Sequence, residues 1–411
     1  MKRVLTLLAF ATALACNPNL TAPAGKRYPS SCREPGHFLD AMTWNVGLAP
    51  GVVPYATPRT KAVAEELANF KSMGLICLQE VWTQEAKDAV VASLGLPADQ
   101  VYYVDTRGMG EEPPGSNACS PRQIGPLAEC VRENCADIDA AEETTVCANE
   151  MCHQELVSLY MDGGRDCLDC LVASVGKSLP AIEAQCTKPA PGITRAFGGQ
   201  NGVMLISRWP LVHREWELLP ASYSNRVALF ATIELEGREP IEVACTHAST
   251  YAEMPPGYKE DGKTVFGDWD DEMIKQISII SGKLAKRAGT RPQLFLGDMN
   301  AGPEIPPYVH AAMPKVWRKI VSLGFSSPAA QALTPFCSTC SGNSLRDADA
   351  QSYLIDHVLV RDPPGGSRLE PRCVRPVIDE GHMRYLKGYK DGLIEEHLSD
   401  HYGVNVTFSY E

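Results

Sequence analysis

The chain has 411 residues, enough to bury a sizeable core and to hold roughly one to three domains. Its apolar share of 44% and charged share of 21% are ordinary for a soluble globular protein and argue against a disordered or fibrous one. A net charge of −12 disfavours sequence-independent binding to polyanions, which needs a Lys/Arg surface, unless a metal supplies local positive charge.

Residues 1–16 read as a signal segment. Lys2-Arg3 is a basic start, and Val4 to Leu14 is an apolar run too short to span a bilayer. It ends in Ala13-Leu14-Ala15-Cys16, which suits ordinary signal cleavage. It also resembles a bacterial lipoprotein box, with Cys16 as the lipidated residue and Ala13 where Leu is usual. The reading is an exported protein, either a cell-envelope lipoprotein tethered through Cys16 or a secreted one. Nothing later in the sequence is apolar for long enough to be a transmembrane helix. Residues 17–36, polar and rich in Pro and Gly, read as a linker, and 37–411 as the catalytic domain.

Within 37–411 the expected elements are short and mixed. Strands are predicted over 38–45, 75–78, 202–207, 227–234, 241–246, 293–297, 354–360 and 402–408. Helices are predicted over 61–73, from an N-cap at Thr83 to near Gly95, and over 271–287, where Met273, Ile277, Ile280 and Leu284 share one face. The predicted fold class is α+β: two packed mixed β-sheets flanked by helices, a four-layer α/β/β/α sandwich. Residues 108–195 interrupt the alternation with helix-like pieces around 127–134, 148–160 and 167–177. Of fifteen cysteines, eight crowd this segment: Cys119, Cys130, Cys135, Cys147, Cys152, Cys167, Cys170 and Cys186. Four local disulfides are the expected arrangement in an exported chain, giving a stapled helical insertion. A zinc or iron–sulfur site is the rival reading.

Polar residues recur at the ends of the predicted strands. They are Thr43-Trp44-Asn45, Gln79-Glu80, Thr246-His247, Asp298-Met299-Asn300, Ile355-Asp356-His357 and Ser399-Asp400-His401. Strand alternation would put Asp298 and Asn300 on one side. Any one of these is more simply a capping or solvated residue. Six of carboxylate, carboxamide or imidazole type can converge in a single cleft. Such a set suits phosphoester hydrolysis: Mg²⁺ needs few protein carboxylates, a carboxylate can activate water, and imidazoles and carboxamides can donate to phosphoryl oxygens. Ser399-Asp400-His401 is not a hydrolase triad, because successive residues cannot form that relay. His37, His153, His213, His310, His382 and His397 read as surface or packing residues. His357 should face away from the cleft, and Cys77 and Cys245 read as core thiols.

Taken in order, TWN, QE, TH, GDMN, IDH and SDH resemble the endonuclease/exonuclease/phosphatase superfamily over about residues 38–409, the insertion excepted. The resemblance implies Glu80 as metal ligand, with Asn45 and Asp400 as further metal, water or phosphate contacts. It implies Asp298 as the residue that positions or deprotonates water, Asn300 as a phosphate donor, and His401, oriented by Asp356, as the imidazole stabilising the transition state. The cofactor implied is Mg²⁺, with Mn²⁺ or Ca²⁺ as substitutes. His247 points to the branch of secreted deoxyribonucleases, sphingomyelinases and inositol phosphatases. Residues 201–211, NGVMLISRWPL, resemble a strand of bacterial sphingomyelinases, but Ser224-Asn225-Arg226 stands where those enzymes favour Asn-Lys-Gly. The expected function is therefore an exported phosphodiesterase acting on a phospholipid headgroup or on nucleic acid. A deoxyribonuclease-like endonuclease is the alternative. A silent binding protein working through the insertion is a third reading, and no obligate protein partner is inferred.

Overall fold

The computed structural model describes residues 27–410 except 32–37, 110–118, 137, 139–140, 162–164, 176, 188–194, 253–255, 261–262, 348, 364, 366–367, 380 and 388–392. The expected signal segment, Cys16 and most of the expected linker lie outside the described residues. Part of that linker stretch docks on the domain: Tyr28 pairs with the backbone of Gln331 and Leu333, and the Pro29 carbonyl accepts from the Val374 N–H.

The chain opens with β1 (Phe38–Leu48), α1 (Ala56–Ala68), β2 (Leu75–Val81), α2 (Gln84–Leu94) and the short β3 (Val101–Tyr102). Five helices follow: α3 (Pro121–Asn134), α4 (Ala141–Met151), α5 (His153–Met161), α6 (Arg165–Ala173) and α7 (Leu179–Cys186). Then come β4 (Met204–Ser207), β5 (Leu211–Leu219), β6 (Arg226–Ile233), β7 (Ile241–His247) and the small strands β8 (Lys259–Glu260) and β9 (Lys263–Thr264). The rest is α8 (Trp269–Ala288), β10 (Gln293–Asp298), α9 (Pro314–Ser322), β11 (Asp356–Arg361), β12 (Leu369–Val377), β13 (Met383–Lys387), β14 (Leu393–His397) and β15 (Gly403–Tyr410). No described helix is long and apolar enough to cross a membrane.

Two mixed sheets stack face to face, in the orders β12-β15-β1-β2-β4-β3 and β11-β10-β7-β6-β5. One apolar cluster fills the space between them, with Leu39, Ala41, Leu75 and Leu205 from the first sheet meeting Leu229, Val243, Leu294 and Leu296 from the second. Strand alternation sends Met42, Trp44, Ile76 and Leu78 to the other face, where Val63 and Leu67 of α1 and Val90 of α2 cover them. Helix α8 covers the second sheet through the predicted stripe of Met273, Ile277, Ile280 and Leu284, all buried. Each such side chain contributes about 1.5–3 kcal/mol by leaving water. The Asp268 side chain caps α8 by accepting from the Asp271 N–H, and Lys286 and Arg287 sit in its last turn, opposing the helix dipole. The four-layer sandwich is thus the architecture.

Some expected boundaries shift. Helix α1 spans Ala56–Ala68 rather than 61–73, because Pro58 falls in the first turn, where its missing N–H has no helical partner to lose. Residues 69–73 leave the helix through tight turns. The expected 148–160 piece is two helices, α4 and α5, broken at Cys152.

The eight crowded cysteines form four local disulfides, Cys119–Cys167, Cys130–Cys152, Cys135–Cys147 and Cys170–Cys186. Cys77 and Cys245, read from the sequence as core thiols, are instead bonded to each other. Each lies on the inward face of a central strand, and the two facing sheets bring their Cα atoms to 5.6 Å. The sequence does not say which strands face each other across 168 residues. Closing so long a loop restricts the unfolded chain, so replacing both cysteines by alanine should lower stability by about 2–4 kcal/mol in urea unfolding. Alkylation of the unreduced protein should leave Cys77, Cys245 and the eight insertion cysteines unlabelled.

Candidate active site

Register assembles half of the site. β10 runs parallel to β7 and antiparallel to β11, so Asp298 lies opposite His247 on one side and Asp356 on the other. The first sheet supplies the facing half. Adjacent β1 and β2 carry Asn45 and Glu80, and the Ser399–His401 turn leads into β15, which pairs with β1. Arg59 holds that turn, donating to the carbonyls of Leu398, Val46 and Gly47. The Ser399 hydroxyl donates to the Asn45 carbonyl. Gly47 has φ +56°, and a Cβ there would lie 2.4 Å from Asp400 Oδ1, so the site needs glycine at this position.

Asn45 joins the two halves. Its Oδ1 accepts from the Gly47 N–H at 3.0 Å, which turns its amide nitrogen toward the carboxylates. That nitrogen donates to Glu80 Oε1 at 3.0 Å and Asp298 Oδ2 at 3.1 Å. Asn45 thus spaces two carboxylates from different sheets. Asp298 and Asn300 are neighbours through a turn and not through strand alternation. The strand ends at Asp298, Asn300 adopts φ +47°, and its N–H donates to Asp298 Oδ1 at 2.8 Å. Asparagine tolerates this left-handed conformation better than most residues. The Asn300 amide donates to the Ala248 carbonyl.

The two imidazoles differ in charge. His401 Nδ1 donates to Asp356 Oδ2 at 2.8 Å, with Asp298 and Asp400 each 3.9 Å from the ring. Burial pulls its pKa down, but Asp356, Asp400 and Asp298 outweigh that and push it up to about 10. His247 lies 3.5 Å from Asp298 and 4.0 Å from Glu80, yet burial, with Arg226 and His401 nearby, holds its pKa well below the ordinary value. His401 is therefore an imidazolium at neutral pH and His247 a neutral base. Burial and the Asp356 charge raise Asp298 to about 7, against the pull of His401 and the donors from Asn300 and Asn45.

His357 faces the other way, as expected. It bonds Ser327 and the Ala301 carbonyl and stacks on Trp317 with ring centroids 4.8 Å apart. His397 is a packing residue, bonded to Ser344. Three residues beside the site were not assigned from the sequence. The Arg226 guanidinium is buried with Nε and Nη1 unpartnered, 5.4 Å from the Trp82 ring. Trp82 stacks on Phe197 at 4.5 Å and lies 6.4 Å from His247. The signals in the sequence were a position two residues after Glu80 for Trp82, and for Arg226 its place just before the strand predicted over 227–234.

The carboxylates fit a hard cation. Glu80 Oε2 and Asp356 Oδ1 are buried without a partner, and Glu80 has a raised pKa from burial and from the nearby Asp400 charge. Oxygen donors of this kind suit Mg²⁺, Mn²⁺ or Ca²⁺. Among the described residues, ligand atoms of Asp298, Asp356 and His401 also lie within 4.8 Å of one another.

A mixed-sheet sandwich with carboxylates, imidazoles and a carboxamide converging at one set of strand ends is the frame of a phosphoesterase. Residues 42–401 match the sequence profile of the Endonuclease/Exonuclease/phosphatase family, and the chain belongs to that family. Members of this family are generally phosphoester hydrolases. No curated protein matches the chain in sequence. Among solved structures it is similar to sphingomyelinase C from Streptomyces griseocarneus, with 16% identity, 91% of this chain and 99% of that one covered, and TM-score 0.50. It is also similar to SmcL, with 14% identity, 90% and 99% covered, and TM-score 0.52. A third is a double mutant of beta toxin from Staphylococcus aureus with bound magnesium ions, with 13% identity, 91% and 100% covered, and TM-score 0.51. At these identities the likeness is one of fold.

The site geometry separates the histidines experimentally. His247→Ala and His401→Ala should each lower kcat by about 10²–10⁴, the usual cost of losing a positioned proton donor or acceptor. Asp356→Asn should mimic His401→Ala, and the pair should add little, because the two act as a unit. His357→Ala should leave kcat close to wild type. Steady-state kinetics on one phosphodiester compares these five variants with wild type.

Proposed function

We propose that the protein is an exported, metal-dependent phosphodiesterase whose substrate is a phospholipid headgroup, as in a sphingomyelinase. The observation that carries the reading is the buried, unpartnered Glu80 oxygen, beside Asp400 and facing an imidazolium, a neutral imidazole and a guanidinium. A buried carboxylate oxygen without a donor calls for a cation. Glu80 and Asp400 would hold Mg²⁺, with Asn45 orienting Glu80. The ion would supply positive charge that polarises a phosphoryl oxygen.

The chain's own residues do the rest. Asp298, between His247 and Asp356, is placed to orient the attacking water and accept its proton. The His401 imidazolium, held in one tautomer by Asp356, donates to phosphoryl oxygens as their charge builds. Neutral His247 and the Asn300 amide complete the donors around one phosphoryl group. Arg226 brings a fixed positive charge to the same buried seam.

Nucleic acid is the second reading, supported by the departure of Ser224-Asn225-Arg226 from the sphingomyelinase pattern, within which Asn225 has a structural role. Its amide is spent on the carbonyls of Thr106, Met109 and Gly199, so it cannot serve a lipid headgroup. The disulfides and the apolar leader support export, with Cys16 as the proposed lipid anchor.

A phosphoester panel with and without Mg²⁺ tests the reading. Hydrolysis of sphingomyelin or another headgroup phosphodiester should require the metal and disappear in Glu80→Gln. Near-native turnover by Glu80→Gln would remove the metal assignment. Cleavage of DNA in place of lipid would move the substrate to the second reading.

A further inference from the structure

The insertion has a core of its own and a partly open pocket among its helices. A cavity of about 240 Å³ lies among its helices. Each of the five contributes to the wall, with Leu127 from α3, Ala148 from α4, Leu156 from α5, Leu171 from α6 and Ile182 from α7. The pocket opens to solvent beside Asn149, His153 and Lys177, which are exposed. One walled largely by aliphatic side chains offers water too few partners and is a place for an apolar ligand. The pocket is also braced. The disulfides tie the start of α3 to α6, the middle of α3 to the α4–α5 junction, the end of α3 to α4, and α6 to α7. Bridges at those places keep the helices from closing onto the gap.

The lining says what would fit. Among the described residues, no Phe, Tyr or Trp ring contributes to the wall, and the permanently charged lining residue is Lys177, which is exposed and bonded to Gln185. Thr144, Thr145, Asn149 and His153 are its other polar lining groups. An aliphatic hole with one cation at its edge is complementary to a flexible chain that ends in an anion.

We propose that the stapled insertion is a binding site for one alkyl chain bearing an anionic end, with the chain in the cavity and its charge at Lys177. Two contacts join the insertion and its exit to the catalytic domain. Phe197, just past the insertion, stacks on Trp82, and Glu143 of α4 accepts from the Tyr55 N–H at 2.7 Å. Binding a chain here needs no turnover, so it stands or falls apart from the phosphodiesterase reading.

Calorimetric titration of laurate, below its micelle concentration, into the full-length protein tests the proposal. One-to-one saturable binding with a raised Tm is expected. Ala128, buried in the wall, can be enlarged to fill the hole, and Ala128→Phe should weaken laurate by about tenfold or more. Ala148→Leu, at a half-buried wall position, is the milder version if Ala128→Phe fails to fold. Lys177→Glu should weaken laurate and leave methyl laurate unchanged. Hydrolysis of bis(p-nitrophenyl) phosphate should be unaffected in all three variants. Absence of saturable laurate binding by the wild-type protein would overturn the proposal. So would laurate affinity unchanged by both filling substitutions, or by Lys177→Glu.

Discussion

Four carboxylates, those of Glu80, Asp298, Asp356 and Asp400, converge in a seam between two sheets, and one imidazolium lies among them. His401 reaches three of the four directly, at 2.8 Å, 3.9 Å and 3.9 Å. That charge imbalance organises the rest of the site. It keeps His401 protonated and adds to burial, the larger cause, in raising the pKa of Glu80 and Asp298, where carboxylate oxygens stand without donors. Burying unpaired charge is costly, and proteins answer by pairing it or by binding a cation. Here Asn45 spaces Glu80 from Asp298, Asp356 is committed to His401, and Glu80 and Asp400 remain as the proposed holders of a metal.

The fold holds this arrangement through register. Asp298 meets His247 and Asp356 because β10 lies between a parallel and an antiparallel neighbour. A slip of one residue on either side would turn the facing side chain out of the seam. The facing half is fixed by a different device. Arg59 and the Ser399 hydroxyl bind the turn before β15 to the end of β1, and Gly47 leaves room for Asp400. Phosphoryl chemistry asks for positioned charge more than for covalent catalysis, so such supports bear on rate directly.

Much of this was legible in the sequence, for a physical reason. Strand ends are marked by a switch from apolar runs to polar residues, so Asn45, Glu80, His247, Asp298 and Asp356 could be located without knowing the pairing. The insertion's four bridges followed from local crowding, and the α8 stripe from helical periodicity. What depends on three-dimensional neighbours was not legible. The Cys77–Cys245 bond required knowing which strands face each other. Arg226 and Trp82 required knowing that β6 flanks β7 and that the chain after Glu80 turns back over the site. The pairing of Asp298 with Asn300 was read from strand alternation, yet a left-handed turn achieves it. Helix α1 begins before and ends before the predicted 61–73 span, with Pro58 in its first turn.

The charge states of the two imidazoles test the account most directly. With metal removed by EDTA, ¹⁵N side-chain NMR of histidine-labelled protein distinguishes imidazolium from each neutral tautomer. His401 has a folded pKa above the ordinary 6.5, so its charge should persist through neutral pH and be lost only as the pH rises toward about 10. His247 is shifted the opposite way and should stay neutral at neutral pH, charging only in acid. Asp356→Asn should bring the His401 transition down while leaving His247 neutral. A His401 that titrates at or below 6.5, or a His247 already charged at neutral pH, would contradict the charge arrangement on which the proposed mechanism rests.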